Sequence, residues 1–454
     1  MTDRETIAAI STGFGGGIGI VRLSGPRARE IAAEIFRPAD PRKKVLELPG
    51  YSCTLGSVLD GEKKLDEALL LLFRAPRSYT GEDMAELSCH GGRFVLERVL
   101  ALTVLHGAAP AGPGEFTQRA FLAGKMDLTQ AESVADIIAA QSEQALRAAM
   151  DMKDGVLQRE IAGVSGSLTA LAAHIAALTD YPEEDVESLL PEDARTAVEQ
   201  ARDTLERLAA TYDRGRMLRE GISTAIVGSV NVGKSTLMNL LAGCEKSIVT
   251  DVPGTTRDVV EETVRIGELT LNLWDTAGLR DTADTVEKIG VSRSRERLKR
   301  CDLILAVFDG SRPLEAEDLQ LLAELDGRLA VGVVNKSDAG CRIDMAEIAA
   351  HTGAVVEISA LHGSGIDTLE RTVRDAVGLS ELAPSAALVA NARQLACIRE
   401  AARSLSQALE ALELAPDAAA VCLQEALDSL LELTGQNASD AVVSEVFGRF
   451  CVGK

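Results

Sequence analysis

The spacing of apolar positions changes character three times along this chain. Over residues 1–120, short apolar runs at 7–10, 19–23, 68–73 and 84–88 alternate with turns rich in glycine and proline and with a few helical stretches, the texture of an α+β domain. From about 127 to 218 the spacing becomes helical, rich in Ala and Leu with Glu, Gln and Arg between. Asp180-Tyr181-Pro182 interrupts that pattern and opens an acidic patch, Glu183-Glu184-Asp185. Residues 221–380 then alternate apolar strands (223–227, 269–274, 303–308, 331–334, 355–358) with helices, the rhythm of a doubly wound α/β domain. After Pro384 the helical texture resumes, from about 391 to 450. The expected fold class is therefore multidomain α/β and α+β, with the α/β domain inserted into a discontinuous helical domain whose halves pack together. The expected boundaries are 1–122, 123–218, 219–382 and 383–454.

Composition narrows the picture. At 454 residues the chain is too long for one ordinary core, and 46% hydrophobic with 26% charged residues is the make-up of a water-soluble globular protein. A net charge of −22 argues against a broad nucleic-acid-binding face, so any RNA contact is local or shared with a partner. The eight cysteines (53, 89, 244, 301, 341, 397, 422, 451) have no metal-ligand spacing and read as reduced thiols. The N-terminal residues Met-Thr-Asp-Arg-Glu lack a hydrophobic signal region, and no uncharged run reaches membrane-spanning length. The expected location is cytoplasmic, with no membrane. Two local basic clusters, Arg37/Arg42/Lys43/Lys44 and Arg293/Arg295/Arg297/Lys299/Arg300, read either as contacts to RNA or an acidic partner, or as solvated faces interspersed with acids.

The chemistry concentrates in 221–380. Residues 228–235 read Gly-Ser-Val-Asn-Val-Gly-Lys-Ser, with an apolar strand before and a helical run from Thr236 after. Backbone N–H groups of such a loop wrap a triphosphate, with Lys234 reaching the β/γ-phosphates and Ser235 holding Mg²⁺. Asp275-Thr276-Ala277-Gly278 follows one strand, the Asp approaching the metal through water and the Gly amide meeting the γ-phosphate. Asn335-Lys336-Ser337-Asp338 follows another, and the Asp338 carboxylate pairs with the N1–H and N2–H donors that guanine has and adenine lacks. A buried carboxylate is expected there. Ser359-Ala360-Leu361 stands where such domains close over the guanine ring, and Thr256, in Gly254-Thr255-Thr256-Arg257-Asp258, is the natural switch threonine. One such pattern alone says only nucleotide triphosphatase. The whole set, in order and at strand ends, says GTPase domain.

Two positions bear on mechanism. Leu279 stands where Ras-like proteins carry the glutamine that orients water. Either another polar group, from Asp281, Asp284 or Glu287, supplies that function, or Leu279 only packs and hydrolysis is slow. Asn231 offers a carbonyl oxygen close to the phosphates. It reads either as an ordinary loop asparagine or as a ligand for a monovalent cation doing the electrostatic work of an arginine finger.

Residues 279–280 and 284–290 (Asp-Thr-Val-Glu-Lys-Ile-Gly), with 254–258, resemble the MnmE (TrmE) family of tRNA uridine-modification GTPases. The resemblance extends to Gly15-Gly16-Gly17-Ile18-Gly19-Ile20-Val21-Arg22-Leu23-Ser24-Gly25, Ser78-Tyr79-Thr80-Gly81-Glu82-Asp83, His90-Gly91-Gly92 and Pro113-Gly114-Glu115-Phe116. It ends with Phe450-Cys451-Val452-Gly453-Lys454, Val standing for the family's Ile. It implies a homodimer joined through an N-terminal tetrahydrofolate-binding domain, with a Ras-like G domain inserted in the helical one. It implies an MnmG-like FAD protein as partner in a heterotetramer or larger complex. That complex adds an aminomethyl or carboxymethylaminomethyl group to C5 of the wobble uridine of certain tRNAs. The one-carbon donor is a tetrahydrofolate derivative in the 5-formyl or methylene form. GTP hydrolysis depends on K⁺ and on the G domains meeting.

By position, the resemblance implies GTP contacts from Asn231, Val232, Gly233, Lys234, Ser235 and Thr236, then from Thr250, Asp251, Val252, Pro253, Gly254, Thr255 and Thr256. They continue with Asp275 to Gly278, Asn335, Lys336, Asp338, Ser359, Ala360 and Leu361. K⁺ falls to Asn231, Thr250, Val252 and Thr255, Mg²⁺ to Ser235 and Thr256, and the water-positioning acid is Glu287. Lys234 and Asn231 join Glu287 as catalytic groups, and folate falls to Arg22, Glu86, Lys125 and Lys454. Cys451 aligns with a cysteine implicated in modification, a buried structural thiol being the other reading. Pro253 departs from the Ala common in relatives.

The residues give the N-terminal region a reading of their own. The run Gly13 to Gly19 does not spell G-x-G-x-x-G, because Ile18 and Ile20 fall on the final positions, so turns or close backbone approach explain it. A folate has a carboxylate tail and a pterin edge like that of guanine, which Arg or Lys and a Glu respectively suit. Two rival functions, an assembly or stress switch and a folate enzyme with a regulatory GTPase, account less well for the folate and terminal motifs together.

Overall fold

The computed structural model describes residues 5–180, 191–244, 262–275, 301–381, 383, 385–412 and 416–454. Two compact units emerge: Met1–Ala135 with Leu431–Lys454, and Asp136–Leu430.

The first unit is built on a seven-stranded sheet, ordered β3-β4-β5-β6-β2-β1-β7. Its strands are β1 (Ile7–Ile10), β2 (Ile18–Ser24), β3 (Phe36–Pro38), β4 (Ser52–Asp60), β5 (Lys63–Phe73), β6 (Met84–His90) and β7 (Ala109–Pro110). Side chains alternate across a strand, so Leu70 and Leu72 point into the core with Val21, Leu23 and Leu87. Helices Ala28–Ile35 and Arg93–Leu105 cover that face with Ile31, Ile35, Leu96 and Val99. The other face keeps Ile18, Leu55 and Leu69 exposed, at 66%, 49% and 42%. The unbroken run Leu69–Leu72 is thus apolar on both faces, where a sheet with one wetted face would alternate with polar residues. β3, β4 and β7 are strands that the apolar pattern misses, because Gly56 and the serines of 52–60 dilute it and the other two are very short.

The end of the chain completes this unit. Val443, Val446, Phe447 and Phe450, on or just after helix Asp440–Gly448, pack with Leu128, Ala131 and Phe121. The last residues then run along 113–116, with Gly114 N–H donating to Cys451 O at 3.3 Å and Phe116 N–H to Lys454 O at 3.1 Å. Gly453 takes φ +96° there, and a Cβ on it would stand 2.4 Å from Ile10 O. Only glycine fits both the backbone angle and the space.

In the second unit, helices Val156–Asp180, Pro191–Ala209 and Ala392–Leu412 pack together. Their buried residues repeat at steps of three and four: Leu157, Ile161, Val164, Leu168, Leu171 and Ile175; Ala194, Val198, Ala201, Leu205 and Leu208; Leu395, Ile398, Ala401, Leu405 and Ala408. Such a seam keeps one stripe of each helix facing its neighbours.

Between these helices in sequence lies a six-stranded sheet, ordered β13-β12-β11-β8-β10-β9. Its strands are β8 (Ile222–Val227), β9 (Glu262–Ile266), β10 (Leu269–Asp275), β11 (Leu303–Asp309), β12 (Ala330–Asn335) and β13 (Ala354–Glu357). All neighbours pair in parallel except the edge strand β9, which runs antiparallel to β10. β9 also escapes the pattern reading, being short and carrying Glu262 and Arg265. The chain enters at β8 and builds outward on both sides of it. The carboxyl end of β8 is therefore the topological switch point, where open α/β sheets form their ligand crevice.

Candidate functional site

The phosphate-loop sequence occupies that switch point. β8 ends at Val227 and helix Lys234–Cys244 starts after six intervening residues, so its first-turn N–H groups and positive dipole end face the crevice. Asn231 takes φ +65° and Gly233 φ +99°. Asparagine tolerates the left-handed region better than most residues, which fits it to this turn. Gly233 has no alternative, since a Cβ there would stand 2.2 Å from Asn335 Nδ2.

Lys234 Nζ donates to Gly228 O and Ser229 O, both at 2.7 Å, which keeps the ammonium over the mouth of the loop. Ser235 and Asn231 are exposed at the lip, so a hydroxyl and an amide oxygen are open to cations. Those oxygens are the donor types that Mg²⁺ and K⁺ take, and in this respect the residues fit the ions.

Asn335 ties the two ends of the crevice together. Its Nδ2 donates to Val232 O at 2.9 Å, and its Oδ1 accepts from Ala360 N–H at 2.9 Å. Asn335 is thus a buried brace between phosphate loop and base loop. Asp338 differs from the buried carboxylate expected. Its side chain is 35% exposed, and Oδ1 accepts from Ser359 Oγ at 2.5 Å. That hydrogen bond, before all else, holds the carboxyl below its ordinary value, so the group is ionised and ready to accept. Leu361 is 74% exposed beside it, an apolar surface of the size a base can cover.

Two carboxylates that the motif reading passed over support these. Asp309, at the end of β11, accepts from Lys336 Nζ at 2.5 Å and from Ser311 Oγ at 2.6 Å. Burial works against this carboxylate, but the lysine and serine bonds outweigh it and hold the group below its ordinary value. Asp318 is only 1% exposed and accepts from Ser229 Oγ at 2.5 Å and from Arg312 Nη1 at 2.7 Å. Its sequence signal is weak, because Glu315-x-x-Asp318 also reads as an ordinary helix capping box, which it forms as well.

Thr250, Asp251, Val252, Pro253, Gly254, Thr255, Thr256, Thr276, Ala277, Gly278, Leu279 and Glu287 lie outside the described residues, as does the basic cluster at 293–300; of Asp275 only the backbone is described. The other basic cluster is exposed, with Arg42 paired to Asp40 and Lys44 to Glu47.

The first unit gathers a second set. Arg22 on β2 and Glu86 on β6 are direct cross-strand partners, joined at 2.8 Å. The Arg22 guanidinium lies 5.6 Å from the Phe116 ring centre and 5.9 Å from that of Tyr79, and Nη1 donates to Gly453 O at 3.4 Å. Burial raises the Tyr79 phenol above its ordinary value, against the pull of Thr117 and Arg22. Lys125 Nζ donates to Pro76 O at 2.5 Å, in the loop that carries Tyr79. Arg22, Glu86 and the backbone of 453–454 therefore converge, with Lys125 bonded to the neighbouring loop. A guanidinium between aromatic rings and a half-buried carboxylate suit a flat heterocycle with an acidic tail. Cys451 is exposed, which sets aside the reading of a buried structural thiol. Among the described residues no cluster of metal-ligating side chains occurs, and no helix is long and apolar enough to cross a membrane.

Comparison with known proteins agrees along the whole chain. A family model described as "MnmE helical domain" matches residues 128–451, and one described as "GTP-binding protein TrmE N-terminus" matches 6–125. The "tRNA modification GTPase MnmE" of Geobacillus kaustophilus (strain HTA426) is 41% identical over 463 residues, covering 100% of each chain. Proteins of the same name from Thermoanaerobacter pseudethanolicus and Lactobacillus acidophilus are 40% and 39% identical, the alignments covering 99% or 100% of each chain.

Proposed function

The chain belongs to the MnmE family, and from that premise we propose that it is a GTPase serving tRNA modification at the wobble uridine. The observation that carries the reading is the phosphate loop at the switch point, braced by Asn335 to the base loop, in a chain matched end to end by such GTPases.

Guanine is selected by the ionised Asp338, which Ser359 orients toward the N1–H and N2–H donors. Lys234 leaves the carbonyls of 228 and 229 for the β/γ-phosphate oxygens, and the N–H groups of the loop and helix start neutralise the charge that develops there. Ser235 with Thr256 would hold Mg²⁺, and Asn231 with Thr250, Val252 and Thr255 would hold K⁺, and the ions would supply positive charge near the transferring phosphoryl group. With Leu279 in the glutamine's place, Glu287 orients the attacking water.

In the first unit a tetrahydrofolate derivative binds at Arg22, Glu86, Lys125 and Lys454. The lysine ammonium takes the carboxylate tail, and Glu86, joined to Arg22 at 2.8 Å, takes the pterin edge. The apolar sheet face at Ile18, Leu55 and Leu69 supports a homodimer through this unit. An MnmG-like FAD protein and the tRNA join through the complex, and the exposed Cys451 is available to the modification chemistry. The protein works in the cytoplasm.

Deleting the protein from its host should remove the C5 substituent from wobble uridines in a mass-spectrometric tRNA profile, and an unchanged profile would refute the reading. Purified protein should hydrolyse GTP faster in K⁺ than in Na⁺. Equal rates in the two salts would remove Asn231 from the cation site.

A further inference from the structure

The phosphate loop contains a strained turn, Asn231 at φ +65° and Gly233 at φ +99°, and something must hold it. One clamp is Asn335 on Val232 O. The other stands at the start of the loop, where Ser229 Oγ donates at 2.5 Å to Asp318. Ser229 faces both ways, because its carbonyl also accepts from Lys234 Nζ at 2.7 Å. A hydroxyl on a carboxylate and a carbonyl on the phosphate-binding lysine thus belong to one residue.

Asp318 is more deeply buried than a helix cap requires. A capping carboxylate in the first turn of Ala316–Leu325 would work equally well in water. Here it is 1% exposed, with Oδ1 on the loop serine and Oδ2 shared by Arg312 Nη1 at 2.7 Å and Glu315 N–H at 3.1 Å. Taking a carboxylate out of water beside a triphosphate site is costly twice over, through lost hydration and through repulsion of the phosphates. Arg312 offsets both by neutralising the charge on the side away from Ser229.

We propose that Asp318 is a positioning residue for GTP hydrolysis, setting the phosphate loop through Ser229 so that Lys234 and Asn231 meet the phosphates in register. This rests on the GTPase reading above. Arg312 belongs to the same device. Its guanidinium fixes the carboxylate's orientation and keeps it from opposing the nucleotide.

The test is nucleotide affinity and turnover in the full-length protein, using a fluorescent GTP analogue and phosphate release. Ser229→Ala should weaken GTP binding and slow turnover by about tenfold together, as expected for a lost hydrogen bond to a charged group. Ser229→Thr, which keeps the hydroxyl, should restore both; a purely structural bond would lower the nucleotide-free thermal midpoint of Ser229→Ala and leave affinity and turnover of the folded protein unchanged. Asp318→Asn on the Ser229→Ala background should add little further, because the two act through one bond. Affinity and turnover of Ser229→Ala within twofold of wild type would overturn the proposal, as would a loss that Thr does not rescue. A wild-type protein that fails to bind GTP would instead overturn the GTPase reading itself.

Discussion

Asp338 and Asp309 are two carboxylates at strand ends with different duties. Asp338 keeps one oxygen on Ser359 and stays open to solvent, as a group that must meet a ligand does. Asp338→Asn replaces an acceptor by a donor at the base edge, so GTP affinity should fall by at least tenfold while xanthosine triphosphate, which presents an oxygen there, gains. Competition between the two nucleotides reads this directly. Asp309 instead holds Lys336 and is 8% exposed. Its folded-state value lies below the ordinary one, so its contribution is present above the unfolded value and is lost as pH falls through the folded one. The stability advantage of wild type over Asp309→Asn should therefore be level from neutral pH to about pH 5 and shrink below about pH 4. Urea unfolding at a series of pH values measures it.

At the scale of elements, the strand–loop–helix around Gly233 and the helical seam are held by different forces. Gly233→Ala meets both a positive φ and the Asn335 amide, so the loop must move. Nucleotide binding should be lost while the far-ultraviolet circular dichroism of the protein is retained. The seam depends on apolar burial. Leu205 is 0% exposed among the packed helices, and Leu205→Ala should cost about 2–5 kcal/mol of unfolding free energy, seen as a lowered denaturation midpoint. A surface change on the same helix, such as Glu199→Gln, should shift it by no more than about 0.5 kcal/mol, since its pair with Arg195 is exposed.

For the whole molecule, the end of the chain and its beginning form one unit. Gly453 lies against Ile10, and its carbonyl accepts from Arg22. Gly453→Val places a branched side chain where even a Cβ would come within 2.4 Å of Ile10 O, so the terminal residues must lift away. Binding of a tetrahydrofolate derivative should weaken by about tenfold or more, given one displaced charged contact. GTP hydrolysis by the other unit should stay unchanged. Isothermal titration with folate, alongside phosphate release, separates the two.

Periodicity and motif spacing by themselves determined most of the secondary structure, the α/β character of 221–380 and the guanine-nucleotide chemistry of 228–235 and 335–338. Those features are local, because a strand, a tight glycine turn and a helix start each depend on neighbours in sequence. Helical spacing was equally visible, although the shared seam of Leu205 and Ile398 joins residues almost two hundred positions apart and needed the fold. Tertiary structure alone decided that Asn335 braces the phosphate loop rather than only facing the base, and that Asp338 stays open. It alone brought Arg22, Glu86, Phe116 and Gly453 together, and set a buried Asp318 behind Ser229. Those pairings cross long stretches of chain, and burial depends on everything packed around a side chain. No spacing along the sequence encodes either.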